Sequence, residues 1–217
     1  MRQLSKFTYS LPLAVLIFSQ PATAADPQFV DWTSINTTTR IAQGSIGSIA
    51  VTLSGTVMGP GVVNGTSTIF SGASFTPPIA TGDSLDLAAY TVPSTYTISF
   101  SQTVLDPVFH IADLSTRVTF TGATPTRVSG NSFFSVTGNS VNGGGFAGAG
   151  NGTVRLSGVF TSLSFSAIDV IQAPPGGDGF YLQVGVSAVP EPASCALLLA
   201  GLFAVGVSAR TRRSAQS

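Results

Sequence analysis

Thr95-Tyr96-Thr97-Ile98-Ser99-Phe100 is the stretch on which the fold reading turns, because Tyr96, Ile98 and Phe100 alternate with three hydroxyl side chains. Successive strand residues point to opposite faces, so this hexapeptide sets an apolar row against a polar one. The same period recurs at Val118 and Phe120, which alternate with Thr119 and Thr121. It returns at Phe180, Leu182, Val184 and Val186 among Tyr181, Gln183, Gly185 and Ser187. Further strands are predicted at 48–58, 67–75, 108–114, 132–137, 153–157 and 159–170. The apolar phase slips between Val154/Leu156 and Val159/Leu163/Phe165, with Gly158 at the slip. A bulge, or a corner where the chain changes sheet, is predicted there. Asp86-Leu87-Ala88-Ala89-Tyr90 is the one piece where a helical turn competes, and it is too short to matter. Short strands without intervening helices predict an all-β fold, a two-sheet antiparallel sandwich of jelly-roll-like form.

The two ends of the chain differ from this middle. Arg2 and Lys6 precede an apolar core at 11–18, and Ala22-Thr23-Ala24 then supplies the small residues of a signal-peptidase site. Residues 1–24 are therefore expected to be a secretory signal peptide, cut after Ala24. At the other end Pro190-Glu191-Pro192 is followed by an uncharged apolar run, 193–209, and then by Arg210, Arg212 and Arg213. The prolines hold an extended spacer. Seventeen residues at helical rise span about 25 Å, close to the thickness of a hydrocarbon core. A single transmembrane helix is expected, and its arginines favour a cytoplasmic C-terminus with everything upstream outside. The expected organisation is signal peptide 1–24, β ectodomain 25–188 and tail 189–217.

Pro190-Glu191-Pro192, the short apolar span and the arginine cluster together resemble the PEP-CTERM sorting tail of Gram-negative bacteria. That resemblance covers 189–217. It implies an exosortase as processing partner, a transient stay in the inner membrane, and release of the ectodomain to the cell surface or extracellular matrix. The same tail is also named an ice-binding-protein C-terminal domain, which implies nothing about ice here. Residues 97–114 and 152–186 more loosely resemble other PEP-CTERM ectodomains, a likeness that implies a β-sandwich and no catalytic residue.

Composition narrows the chemistry. Eight aspartates against four arginines give residues 25–188 a charge of −4, with no lysine or glutamate among them. A basic footprint for nucleic acid is absent. The one cysteine, Cys195, lies in the apolar tail, so the ectodomain holds no disulfide. The one histidine, His110, sits in a predicted strand and is read as structural. Zinc and paired-glutamate chemistry lack their ligands, and no enzyme is expected. Gly82-Asp83-Ser84-Leu85-Asp86 reads as a loop whose carboxylates, Asp83 and Asp86, would take calcium together with loop carbonyls. Trp32, Tyr90, Tyr96 and Tyr181 are the aromatics read as sugar-stacking rings, Trp32 and Tyr181 foremost. The glycine-rich 142–152 reads as a wide turn without the lysine of a phosphate-binding loop. Two functions fit this reading. One is a structural surface protein of an exopolysaccharide or biofilm matrix, and the other a carbohydrate-binding module assisted by calcium.

Overall fold

The computed structural model describes residues 27–56, 59, 61–170 and 178–187. Fourteen strands run in chain order through these residues. They are β1 (Gln28–Phe29), β2 (Asp31–Asn36), β3 (Ile41–Ile46), β4 (Ile49–Gly55), β5 (Val62–Ser67), β6 (Gly82–Ala89) and β7 (Ser94–Leu114). Then follow β8 (Arg117–Thr121), β9 (Pro125–Gly130), β10 (Ser135–Thr137), β11 (Ser140–Asn142), β12 (Gly150–Leu156), β13 (Val159–Ile168) and β14 (Asp178–Ser187). All paired strands are antiparallel.

The expected all-β class is what forms, with one strand at its centre. The 21-residue β7 belongs to both layers. Its first half lies between β13 and β4, giving a layer of order β10-β11-β8-β13-β7-β4-β3-β2. Its second half lies between β12 and β14, giving a layer of order β9-β12-β7-β14-β6-β5. The strand turns from one to the other at Asp106, whose φ is 47°. The Asp106 amide donates to Gly158 O at 2.9 Å, and the Gly158 amide donates back to Asp106 Oδ1 at 2.7 Å. Gly158, with φ at 134°, stands where the chain leaves β12 in one layer for β13 in the other. The predicted sheet change at the phase slip is therefore observed. Only glycine adopts that conformation readily.

Between the layers lies one apolar core. Phe109 packs edge-on against Phe120 at 5.2 Å, Phe120 lies 5.7 Å from Phe165, and Tyr96 stacks on Phe165 at 5.2 Å. These rings come from both halves of β7, from β8 and from β13, so they fasten the layers together. Each buried aromatic or aliphatic side chain contributes about 1.5–3 kcal/mol. The Tyr96 hydroxyl donates to Ala88 O across the core at 2.6 Å. Burial pushes the Tyr96 phenol well above its ordinary pKa, so the hydroxyl keeps its proton. At the sides, β2 lies beside β5 and β9 beside β10, which brings the layer edges together.

Several predicted elements take another form. The separate strands expected at 95–100 and 108–114 are one, because Asp106 bends β7 without ending it. The strand expected at 67–75 is a strap of turns, residues 68–81, lying over the outer face of the second layer. Its apolar residues Phe70 and Phe75 pack on Ala112, so apolar content here signals a cover instead of a strand. β1, β2, β3, β5, β9 and β11 were not foreseen. Residues 82–86, read as a loop, join 87–89 in β6, in which neighbours on both faces are buried and no alternation shows.

Candidate functional site

The strongest concentration of directed chemistry lies on the outer face of the second layer. Ser129, Thr153, His110 and Gln183 fall on one row across β9, β12, β7 and β14. A row facing outward on a strand would ordinarily meet water. Here the strap covers it, and Thr153, His110 and Gln183 are buried.

Three of these side chains bind strap backbone. Ser129 Oγ donates to Ser74 O at 2.9 Å. The Thr76 amide donates to Thr153 Oγ1 at 3.0 Å, and His110 Nε2 lies 2.8 Å from Pro77 O. A carbonyl only accepts, so His110 carries its proton on Nε2. Its Nδ1, 2.9 Å from Thr153 Oγ1, must then accept the threonine proton. Around the ring stand Phe29 at 4.6 Å, Phe75 at 5.3 Å and Phe70 at 5.8 Å. Burial lowers the His110 pKa to about 4, against a smaller upward pull from the Pro77 carbonyl. The imidazole is neutral at pH 7 and works as a brace. Both of its nitrogens are committed, Nε2 to the strap and Nδ1 to Thr153.

Gln183 completes the row differently. Its Oε1 accepts from Trp32 Nε1 at 3.0 Å and from the Val184 amide at 2.9 Å. Its Nε2 donates to Val30 O at 2.9 Å and to Asp83 O at 3.2 Å. All four bonding positions of the amide are used, at the point where β14 exchanges β6 for β1 as its neighbour. Beyond that exchange Phe29 crosses Gly185, where a Cβ would come within 2.9 Å of the phenyl ring.

The predicted site residues are redistributed by this arrangement. Trp32 is 0% exposed, its indole committed to Gln183, so it offers no face to a sugar. Tyr181 is half-buried and packs with the strap cluster. Asp83 and Asp86 stand three apart on a strand, hence on opposite faces, and cannot share one cation. Asp83 is buried and accepts from the Trp32 amide at 2.7 Å and from the Gly65 amide, at 2.6 Å. Burial raises its pKa, the two amides oppose this, and the neighbouring Asp31 carboxylate adds to it. Asp86 is raised by burial and then by Asp113. Among the described residues no three His, Cys, Asp or Glu side chains are grouped as metal ligands. The carboxylates that do approach one another, Asp31 and Asp83, border a cleft of about 240 Å³ with Phe29, Ile79, Thr81 and Gln183.

Sequence reasoning missed the row because its members lie on four strands distant in the chain. Their polar type on the outer phase of each strand was the available signal. The glycine-rich turn contains a short 3₁₀ segment, Gly145–Ala147, and closes over Phe133, whose ring lies against Gly144 and Gly148. Phe146 at its tip is 86% exposed.

Ala22, Ala24, Pro190, Glu191, Pro192, Arg210, Arg212 and Arg213 lie outside the described residues, as does the apolar run 193–209. No helix among the described residues is long and apolar enough to cross a membrane. No curated protein and no solved structure matches the chain. A family model does: the PEP-CTERM protein-sorting motif matches residues 188–213, beginning directly after the last residue of β14.

Proposed function

We propose that this is an exported protein, handed to an exosortase through its C-terminal motif, whose β domain serves a structural role in an extracellular polysaccharide or biofilm matrix. The observation that carries this reading is the sorting motif at 188–213, joined without a gap to a closed β domain. The buried polar groups at the heart of that domain support it. His110, Thr153, Gln183 and Asp83 hold the domain's own backbone, as a scaffold requires. Replacing Pro190, Glu191 and Pro192 with alanine is expected to leave uncut protein in the inner membrane and none in the matrix fraction. A mature product of normal length would overturn the reading.

A second reading, a carbohydrate-binding module, has one observation in its favour. Phe146 presents a nearly free ring from a glycine frame, the kind of flat apolar surface that sugar faces stack on. Saturable polysaccharide binding lost in Phe146→Ala with unchanged melting would favour it. Calcium dependence of that binding would revive the metal, with Asp31 and Asp83 as the carboxylates to substitute.

A further inference from the structure

The first and last strands of the domain are partners. Gln28 pairs with Val186 and Phe29 with Gly185, and the Val30 amide donates to Val184 O at 2.8 Å. The chain thus enters and leaves the domain side by side, at the pole that also holds the β7 bend and Gly158. The opposite pole is defined by the pairs Asp178–Ala89, Leu114–Gly150 and Arg117–Asn142 and by the bridge Tyr90–Ile168. From Gly185 to Asp178 the chain runs about 24 Å along β14.

Between Ser187 and the end of the Pro-Glu-Pro triplet stand five residues, 188–192, spanning at most about 17 Å. A domain of this size has a radius of gyration of about 15 Å. A tether that short does not let the body turn over. At the near pole, segments 46–50, 101–105, 122–126 and 157–161 contain no charged residue, while Asp106 at the bend binds the Gly158 amide and Asp31 opens β2 beside Ser45. Leu105 and Val159 are exposed there. The far pole carries Arg117, Asp169 and Asp178, with Tyr90, Val92, Val170, Phe133 and Phe146 exposed.

We propose that, while the tail is attached, the domain stands on the lipid surface by the pole where β1 and the end of β14 meet. The opposite pole, with Phe146 and Val92, faces away from the membrane. This rests on the sorting reading above.

Single cysteines in a Cys195→Ser background test it in the full chain, with the triplet replaced by alanine so that the tail stays on. Ser157→Cys and Gln102→Cys report the near pole, and Phe146→Cys and Val92→Cys the far pole. Each is compared with the same variant lacking 188–217, using a bulky membrane-impermeant maleimide on spheroplasts. Modification at the near pole is expected to slow several-fold when the tail is present, with no change at the far pole. Equal ratios at both poles would overturn the orientation. Fractionation separates the two ideas: uncut protein in the soluble fraction would overturn the sorting reading itself, and the orientation with it.

Discussion

The two faces of the second half of β7 are built from the same strand and held by different physics. Inward, Phe109 and Ile111 enter the apolar core, where burial is favourable in many packings and no single bond is decisive. Outward, His110 and Ala112 lie equally buried beneath the strap. There the cover is fastened by bonds from Ser129, Thr153 and His110 to named backbone atoms. The inner face is expected to supply most of the stability, because it buries most of the apolar surface. The outer face supplies a specific position for a segment with no strand partners of its own. Burial on both faces of a strand does not imply the same kind of interaction on both.

The comparison is broken most severely from the inside. Phe109→Ala removes a ring packed against Phe120 and Phe165 and is expected to cost about 3–5 kcal/mol, read as a lower urea midpoint. If the loss were no larger than that of an outer-face variant, the inner face would not dominate.

Acid attacks the outer face next. The His110 pKa is about 4 in the folded protein against an ordinary 6.5, so between those values the unfolded chain binds more protons. Stability is expected to fall as pH drops from 6.5 toward 4, by about 3 kcal/mol in total, with no further loss from this group below that window. Urea unfolding across the window checks it, and His110→Gln should flatten the profile.

A smaller effect separates strap from core. Thr153→Val keeps the shape but leaves the Thr76 amide and His110 Nδ1 unpaired, at an expected cost of about 1–3 kcal/mol. Proteolytic cutting within 68–81 should accelerate more than amide exchange in β13. Uniform acceleration would mean that the strap is not a separate unit. Least of all, Tyr96→Phe deletes the hydroxyl bond to Ala88 O and is expected to cost about 1 kcal/mol in a thermal melt.

The inner face was the legible one. Alternation in 95–100, 118–121 and 180–186 correctly assigned Tyr96, Ile98, Phe120, Leu182 and Val184 to one core, and the phase slip at Gly158 located the sheet change. Alternation reports one apolar phase and leaves the other phase to be assumed wet. That assumption failed at His110, Thr153 and Gln183, which are polar yet buried. It failed inversely at Phe70 and Phe75, apolar residues that belong to a cover. Asp83 looked like a loop carboxylate because glycine and serine flank it. What makes 82–89 a strand is its pairing with β14, far later in the chain, and what claims the Asp83 carboxylate is the Trp32 amide, 51 positions earlier; no local reading could supply either.

The position of β14 carries a consequence for how the protein is made. It is the last strand before the sorting motif, yet it lies inside its layer, between β7 and β6, and it also receives β1. Until residues 178–187 have crossed the membrane, β7, β6 and β1 lack the partner that satisfies their backbone. Such distant pairings make assembly slow relative to helical folds. Completion of the domain and arrival of the sorting motif are thereby one event in time: a chain cut short anywhere upstream can neither finish folding nor present the signal that would send it to the surface.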